Sequence, residues 1–241
     1  MFHVKHTDMQ NLLITQAELM GVGVSRSEAE KQIQFLCWLA SRNESISLTA
    51  ISEPGQAVTL HTVDALSAVP ELEAVAPGAI LDLGTGGGVP GIPLAIHTSR
   101  STVLLDSIKK KVGVLNNYLD EARISAVAIA ERAEDHAATH RANYAAVVAR
   151  AVAGLPSLVE LAAPLLRPSG HLICYKGDPL DAEIVAGRRA AEMCGMQEVS
   201  IRKLELPDSA GRRSVITYSR IGEGHIKLPR AVGKAQKRPL A

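Results

Sequence analysis

Aromatic side chains are scarce in this chain: two Phe, four Tyr and one Trp among 241 residues, or 3%. That argues against a module that grips nucleic acid by stacking many bases on rings. Net charge is also nearly absent, at +1, so an anionic partner must be met by a local patch and not by a global field. The three cysteines, Cys37, Cys174 and Cys194, form no C-x-x-C pair and have no clustered histidines around them. No metal site is expected on that count, and reduced thiols fit a cytoplasmic protein. No apolar run approaches the ~20 residues of a membrane span, and the opening MFHVKHTDMQN holds no signal-like apolar segment. A cytoplasmic monomer with no membrane partner is the expectation. Internal repeats and low-complexity segments are missing too.

What is present is aliphatic. Apolar residues make up 46% of the chain, with much Ala, Val and Leu, the composition of a parallel sheet sandwiched by helices. The length suits one α/β core with an appendage. Apolar spacing predicts helices at 7–21 and 25–41, the second capped by Ser25 or Ser27, and a third at 56–69 carrying His61 and Asp64. These form an N-terminal cap, and 70–78 reads as a linker, so the cap and linker take 1–78. From Ile80 onward, apolar runs at 80–84, 102–106, 126–130, 145–149, 171–175, 197–204 and 213–219 alternate with helical patterns at 91–97, 108–122, 156–166 and 180–194. This is the signature of a doubly wound, mainly parallel sheet. Only a short linker separates the last two strands, so they should pair antiparallel. A seven-stranded sheet ending in such a hairpin, over 79–221, is the Rossmann-like arrangement of class I AdoMet-dependent methyltransferases. Residues 222–241 hold Lys227, Arg230, Lys234, Lys237 and Arg238 against Glu223. That tail reads either as solvated and disordered or as a phosphate-contacting arm. A chain ending at Ile221 is expected to keep the core's cofactor affinity and to bind a polyanion less well.

The stretch 79–97, AILDLGTGGGVPGIPLAIH, organises the core. Strand, glycine turn and helix form a nucleotide-binding first crossover, in which glycines let backbone approach a ligand. Gly86-x-Gly88-x-x-Gly91 alone leaves a dinucleotide enzyme in play. Asp82, two residues before Gly84, changes the balance. A pyrophosphate needs bare amides there, whereas an acid suits S-adenosylmethionine, with its ammonium and sulfonium. Asp106 ends the second strand, where a carboxylate can hold ribose hydroxyls, or else simply cap the next helix. In Glu131-Arg132-Ala133-Glu134-Asp135 an acid could accept from the adenine amino group. Arg150 and Lys176 stand at the tips of the fourth and fifth strands, on the ligand side of the sheet.

The chemistry is narrowed by what those strand ends lack. No Asn-Pro-Pro or Asp-Pro-Pro turn follows the fourth strand, where Arg150-Ala151-Val152 stands instead, and Cys174 lies inside an apolar strand. Exocyclic-amino and cytosine-C5 methylation are therefore disfavoured, and no His or Asp is aligned as a base for a hydroxyl. A nucleophile with a bare lone pair remains, and guanine N7 is one. It needs positioning and a tuned field but no general base.

Taken together, these pieces resemble the bacterial small-subunit ribosomal RNA guanine-N7 methyltransferases, the RsmG or glucose-inhibited division protein B family. Asn43-x4-Leu48-Thr49 is similar to its N-x3-N-L-T, His61-x2-Asp64 to R-H-x2-D-S, and LDLGTGGGVPGIPLAI to its glycine turn with two prolines. Leu104-Leu105-Asp106-Ser107 with Lys110-Lys111, then Arg132-Ala133-Glu134, Arg150-Ala151, Lys176-Gly177, Arg212 and PRAVGKAQKRPL follow in the family's order. Ser47, Leu60 and Ala65 depart from it, all within the cap, where substrate contacts are expected. The resemblance implies AdoMet contacts at Gly84, Val89, Ala133, Glu134 and Arg150, beside Asp82, Gly86, Gly88 and Asp106 from the turn and strand ends. It implies a substrate guanosine in the 530 loop of 16S rRNA, free or in an assembling 30S subunit. Arg150, Lys176 and Arg212 become the positioning candidates. RNA contacts fall to His61, Asp64, Lys176, Arg212 and the five basic tail residues. The rival readings are an AdoMet methyltransferase for another nucleobase or a small molecule, and a non-catalytic nucleotide-binding Rossmann-like protein.

Overall fold

The computed structural model describes residues 2–43 and 45–241. Two helices, α1 (Phe2–Leu19) and α2 (Arg26–Asn43), come first. The start of α2 is a capping box: Ser25 Oγ accepts from the Glu28 amide at 3.2 Å, and Glu28 Oε2 accepts from the Ser25 amide at 2.8 Å. The expected third helix is broken into α3 (Pro54–Ala57), a π-helical turn (Val58–Val63) and α4 (Asp64–Leu66). The expected linker contains α5 (Val69–Glu73), with Pro70 in its first turn, where a missing amide costs nothing.

Seven strands follow: β1 (Ile80–Leu83), β2 (Thr102–Asp106), β3 (Ala126–Ala130), β4 (Tyr144–Arg150), β5 (Leu166–Lys176), β6 (Met196–Glu205) and β7 (Arg212–Arg220). They form one sheet in the order β3-β2-β1-β4-β5-β7-β6. β7 runs antiparallel to both β5 and β6, and the other pairs are parallel. The expected sheet and terminal hairpin are therefore present. Helices α6 (Gly91–Thr98), α7 (Lys109–Ala122), α9 (Leu155–Ala162) and α10 (Asp181–Met193) fall where periodicity puts them. α8 (Ala133–Thr139) was not foreseen, because seven residues starting in charge show too little apolar period.

Alternation along the strands sends neighbours to opposite faces. Ile80, Leu104, Val148, Ile173 and Val215 share an apolar cluster with Leu13, Ile33, Phe35 and Leu39 of the first two helices. Leu81, Leu105, Val147, Leu172 and Ile216 pack instead with Leu155, Leu158 and Val159 of α9. The first helices are thus part of one sheet face. Gln32 Nε2 fixes them to it by donating to Pro93 O at 2.9 Å.

The tail is neither a solvated end nor a free arm. A last short helix, α11 (Lys234–Lys237), seats Ala235 against α9 at 1% exposure, and Leu228 is buried as well. Arg230 forms a two-pronged ion pair with the buried carboxylate of Glu160. Among the described residues no helix is long and apolar enough to cross a membrane.

Candidate functional site

The turn after β1 bends through Gly84 and Gly86, at φ +73° and +58°, left-handed values that β-carbons resist. Asp82 holds it closed. One oxygen, Oδ2, accepts from Thr85 Oγ1 at 2.6 Å and from the Gly91 amide at 2.8 Å. Its other oxygen, Oδ1, has no partner. The side chain is 0% exposed, and burial pushes its pKa up to about 6 despite those two donors. The expected ligand contact by Asp82 is therefore corrected: the carboxyl clasps the turn from below and opens on neither neighbouring cavity. Gly88 is corrected likewise. A β-carbon there would meet Ile92 Cδ1 at 2.6 Å and Leu115 Cδ2 at 3.1 Å, so its smallness serves helix packing. Gly86 faces open space, with nothing within 4 Å of a β-carbon.

Asp106 ties the glycine turn to the start of α7, the helix-start role being one of the two expected of it. Its Oδ2 accepts from the Gly86 amide at 3.0 Å, and Oδ1 accepts from the Ile108 amide at 2.9 Å, at the start of α7. It also lines two cavities, one on each side of Gly84. The first, of about 190 Å³, is lined by Leu105, Glu131, Ala133, Glu134 and Val152, with Gly233 and Gln236 from the tail. The second, of about 310 Å³, is lined by Leu48, Thr49, His61, Gly86, Val89, Lys111 and Arg150. A third, of about 390 Å³, shares Arg150 and Ala151 with the second and adds Leu60, Asp64, Tyr175, Lys176, Gly177 and Arg213. The three form a continuous series along the carboxyl ends of the parallel strands, where such sheets bind ligands.

Arg150 sits where the second and third cavities meet. Its Nη1 donates to Leu60 O at 2.7 Å and to Asp64 Oδ2 at 2.9 Å, while Nη2 lies 3.4 Å from His61 Nδ1. Asp64 is 1% exposed, and its second oxygen accepts from Arg213 Nε at 2.9 Å. The π-turn supplies Leu60 and His61 to this cluster, and such turns gather at functional sites. Thr49 Oγ1 lies 2.8 Å from His61 Nε2. Burial, then the Arg150 charge, pushes His61 down to about 4, so its ring is neutral at pH 7.

One expected RNA contact is corrected by this cluster: Asp64 is spent on two guanidinium groups. Arg212 lies outside the cluster, 79% exposed and 3.9 Å from Asp178 Oδ2. The inward residue is Arg213. Strand parity carries the signal, because Arg213 shares its face with buried Val215. His61 is enclosed, although it lines the second cavity. Lys176 reaches the third cavity while its Nζ pairs with Glu183 Oε1 at 2.7 Å. In the tail, Arg230 is withdrawn from RNA by its pairing with Glu160, whereas Lys227, Lys234, Lys237 and Arg238 are exposed. Glu134 lines the first cavity, but its Oε1 already accepts from the Gly233 amide. Gly233, Gln236 and Val152 line the first cavity and were not among the residues the sequence singled out. Among the described residues one grouping could in principle hold a metal: Glu131, His136 and His140. Both His136 nitrogens already face protein partners, Glu131 at 2.7 Å and Tyr144 at 2.6 Å.

Strand order, the clasped glycine turn and the strand-end cavities together define an AdoMet-dependent methyltransferase of the Rossmann-like class. The fold resembles that of 1,6-didemethyltoxoflavin-N1-methyltransferase from Burkholderia thailandensis, with TM-score 0.53 and 15% identity over 78% of this chain and 90% of that one. Residues 28–215 match the family described as rRNA small subunit methyltransferase G. Ribosomal RNA small subunit methyltransferase G of Deinococcus radiodurans is 37% identical over 235 residues, 96% of this chain and 92% of that protein. Its Clostridium novyi counterpart is 32% identical over 234 residues, 95% and 96% of the two chains. The chain belongs to the ribosomal RNA small subunit methyltransferase G family, as its motifs implied.

Proposed function

We propose that this protein methylates N7 of a guanine in the 530 loop of small-subunit rRNA, acting as a cytoplasmic monomer without a metal. The observation that carries the reading is the junction at Arg150. Among the described residues lining the second and third cavities, Asp64 is paired on both oxygens, Asp106 is tied to two backbone amides, and His61 is a weak base with a pKa of about 4. A site built this way offers no general base, and a lone-pair nucleophile needs none.

The cavities fit the cofactor. Adenosine would lie in the first, between Ala133–Glu134 and the tail, with Asp106 at the ribose and the amino-acid end beside Gly86 and Val89 in the second. AdoMet supplies an electrophilic methyl on a sulfonium. The chain's own part is alignment: Arg150, held rigid by Leu60 O and Asp64, forms the wall between the two ligands. Arg150, Arg213 and Asp64 leave one net positive charge there, suited to a phosphate-bearing substrate, while Lys176 at the far rim is balanced by Glu183. Exposed Lys227, Lys234, Lys237 and Arg238 extend that field.

The test is transfer of labelled methyl to rRNA lacking the modification, followed by strand scission at N7-methylguanine. One scission site in the 530 loop supports the reading. Label on another atom, or none on RNA, overturns it.

A further inference from the structure

The tail's basic residues invite an RNA role, yet its inner side faces the cofactor cavity. Gly233 and Gln236 line the first cavity opposite Ala133 and Glu134. Three attachments set them there. The Gly233 amide donates to Glu134 Oε1 at 2.8 Å, Ser157 Oγ donates to Ala235 O at 2.8 Å, and the Arg230 guanidinium grips Glu160 while donating to Arg238 O at 2.8 Å. Glu160 is 3% exposed. A charge pair withdrawn from water adds little net stability, because desolvation offsets its attraction, but it specifies position sharply. Here it fixes the tail's register on α9, and so places α11 over the cavity.

We propose that residues 228–238 form a permanent wall of the cofactor site, and that Gln236 is a positioning residue for the purine of the adenosine end. This rests on the cofactor reading above. A glutamine amide carries a donor and an acceptor side by side, the complement of the N6 and N7 edge of adenine. Glu134 cannot do that work alone, since one of its oxygens already holds the tail. Cofactor affinity therefore depends on a segment nearly 100 residues beyond the strand ends that form the rest of the cavity, as the 99-residue separation of Glu134 and Gly233 records. On this proposal a chain ending at Ile221 loses cofactor affinity, contrary to the expectation from sequence.

The experiment is calorimetric titration of the full chain with AdoMet and with 5′-methylthioadenosine, which has the adenosine but not the amino-acid end. Thermal unfolding without ligand accompanies it. Gln236→Ala should weaken both ligands by the same factor, about five- to tenfold, as expected for one lost hydrogen bond, with an unchanged Tm. The double variant Glu160→Gln/Arg230→Gln frees the wall without stranding a charge, and should weaken both ligands at least as much. Should it fail to fold, Gln236→Ala decides alone. Wild-type protein that binds both ligands while Gln236→Ala stays within twofold on each overturns the proposal and leaves the cofactor reading standing. A loss confined to AdoMet also overturns it, because the wall would then act away from the purine. Wild-type protein that binds neither ligand overturns the cofactor reading itself.

Discussion

Two buried carboxylates lie near the centre of this molecule, and they are satisfied in opposite ways. Asp82 accepts from a hydroxyl and an amide three and nine residues along the chain. Asp64 accepts from guanidinium groups 86 and 149 residues away. The first is a clasp on neutral donors that sets the shape of one turn, and burial outweighs those donors, raising its pKa to about 6. The second is an ionic tie that joins the segment after the π-turn to β4 and β7 across the sheet. Local geometry is held by local hydrogen bonds. The junction between the second and third cavities is held by charges that only the fold brings together.

The largest effect should come from cutting that tie. Asp64→Ala strands two guanidinium groups around a buried position and should cost about 3 kcal/mol in urea unfolding, with methyl transfer lost. Asp82→Asn keeps an acceptor for its neutral donors and should cost under about 1 kcal/mol. Equal losses in the two variants would erase the distinction drawn here.

Within the turn, two glycines separate shape from binding. A β-carbon at Gly91 would overlap Leu104 and come within 2.7 Å of Asp82 Oδ2. Gly91→Ala should therefore destabilise by about 2–3 kcal/mol. Gly86→Val meets open space and should cost only about 1–2 kcal/mol for its left-handed backbone, while abolishing AdoMet binding in calorimetry. AdoMet affinity unchanged in a folded Gly86→Val protein would remove that turn from the cofactor site.

The same pair of regions should respond to acid with opposite signs. His61 is lowered from its usual 6.5 to about 4, so the folded state binds fewer protons. Its contribution is complete above pH 6.5 and is lost as pH falls towards 4. Asp82 is raised from 3.8 to about 6. Its contribution is complete below 3.8 and is lost as pH rises through 6. Urea titrations from pH 4 to 7 on His61→Gln and Asp82→Asn should expose the two slopes, each at most about 1.4 kcal/mol per pH unit. Single-turnover methyl transfer should stay nearly flat from about pH 6 to 8.5, because neither group works as a base there. A unit slope in that range, removed by His61→Gln, would break the lone-pair reading.

Smaller effects belong to the surface. Arg212→Ala should change stability by less than about 0.5 kcal/mol, and Arg213→Ala by clearly more in the same urea assay. Lys234→Ala and Lys237→Ala should each shallow the salt dependence of RNA binding by about 0.7 if they touch phosphate on a single strand. An unchanged slope would assign both to solvent.

Much of this was legible before any coordinates. The sheet, its terminal hairpin and most helices follow from apolar spacing, and the glycine turn from residues within ten positions of one another. Strand-end reasoning pointed to Asp106, to an acid within 131–135 and to Arg150, and the family resemblance to Ala133 and Glu134; all of these line the strand-end cavities. The failures share one cause. Asp82 and Gly88 look like ligand contacts in a motif, but which side of a turn faces solvent depends on what packs beneath it. Arg212 came from the family's motif order, and that Arg213 turns inward shows only once the partners of β7 are known. The tail's charges suggested an extended arm, since the buried acid that takes up Arg230 lies 70 residues earlier.

The sequence by itself determined the class of fold, the turn and the order of the strand ends, because backbone preference and apolar period act over a few residues. Only the tertiary structure decided which charges neutralise one another, that Asp64 ties Arg150 to Arg213, and that Gly233 and Gln236 of the chain's end line the first strand-end cavity. Ion pairing and desolvation depend on distance in space, and distance along the chain does not report it.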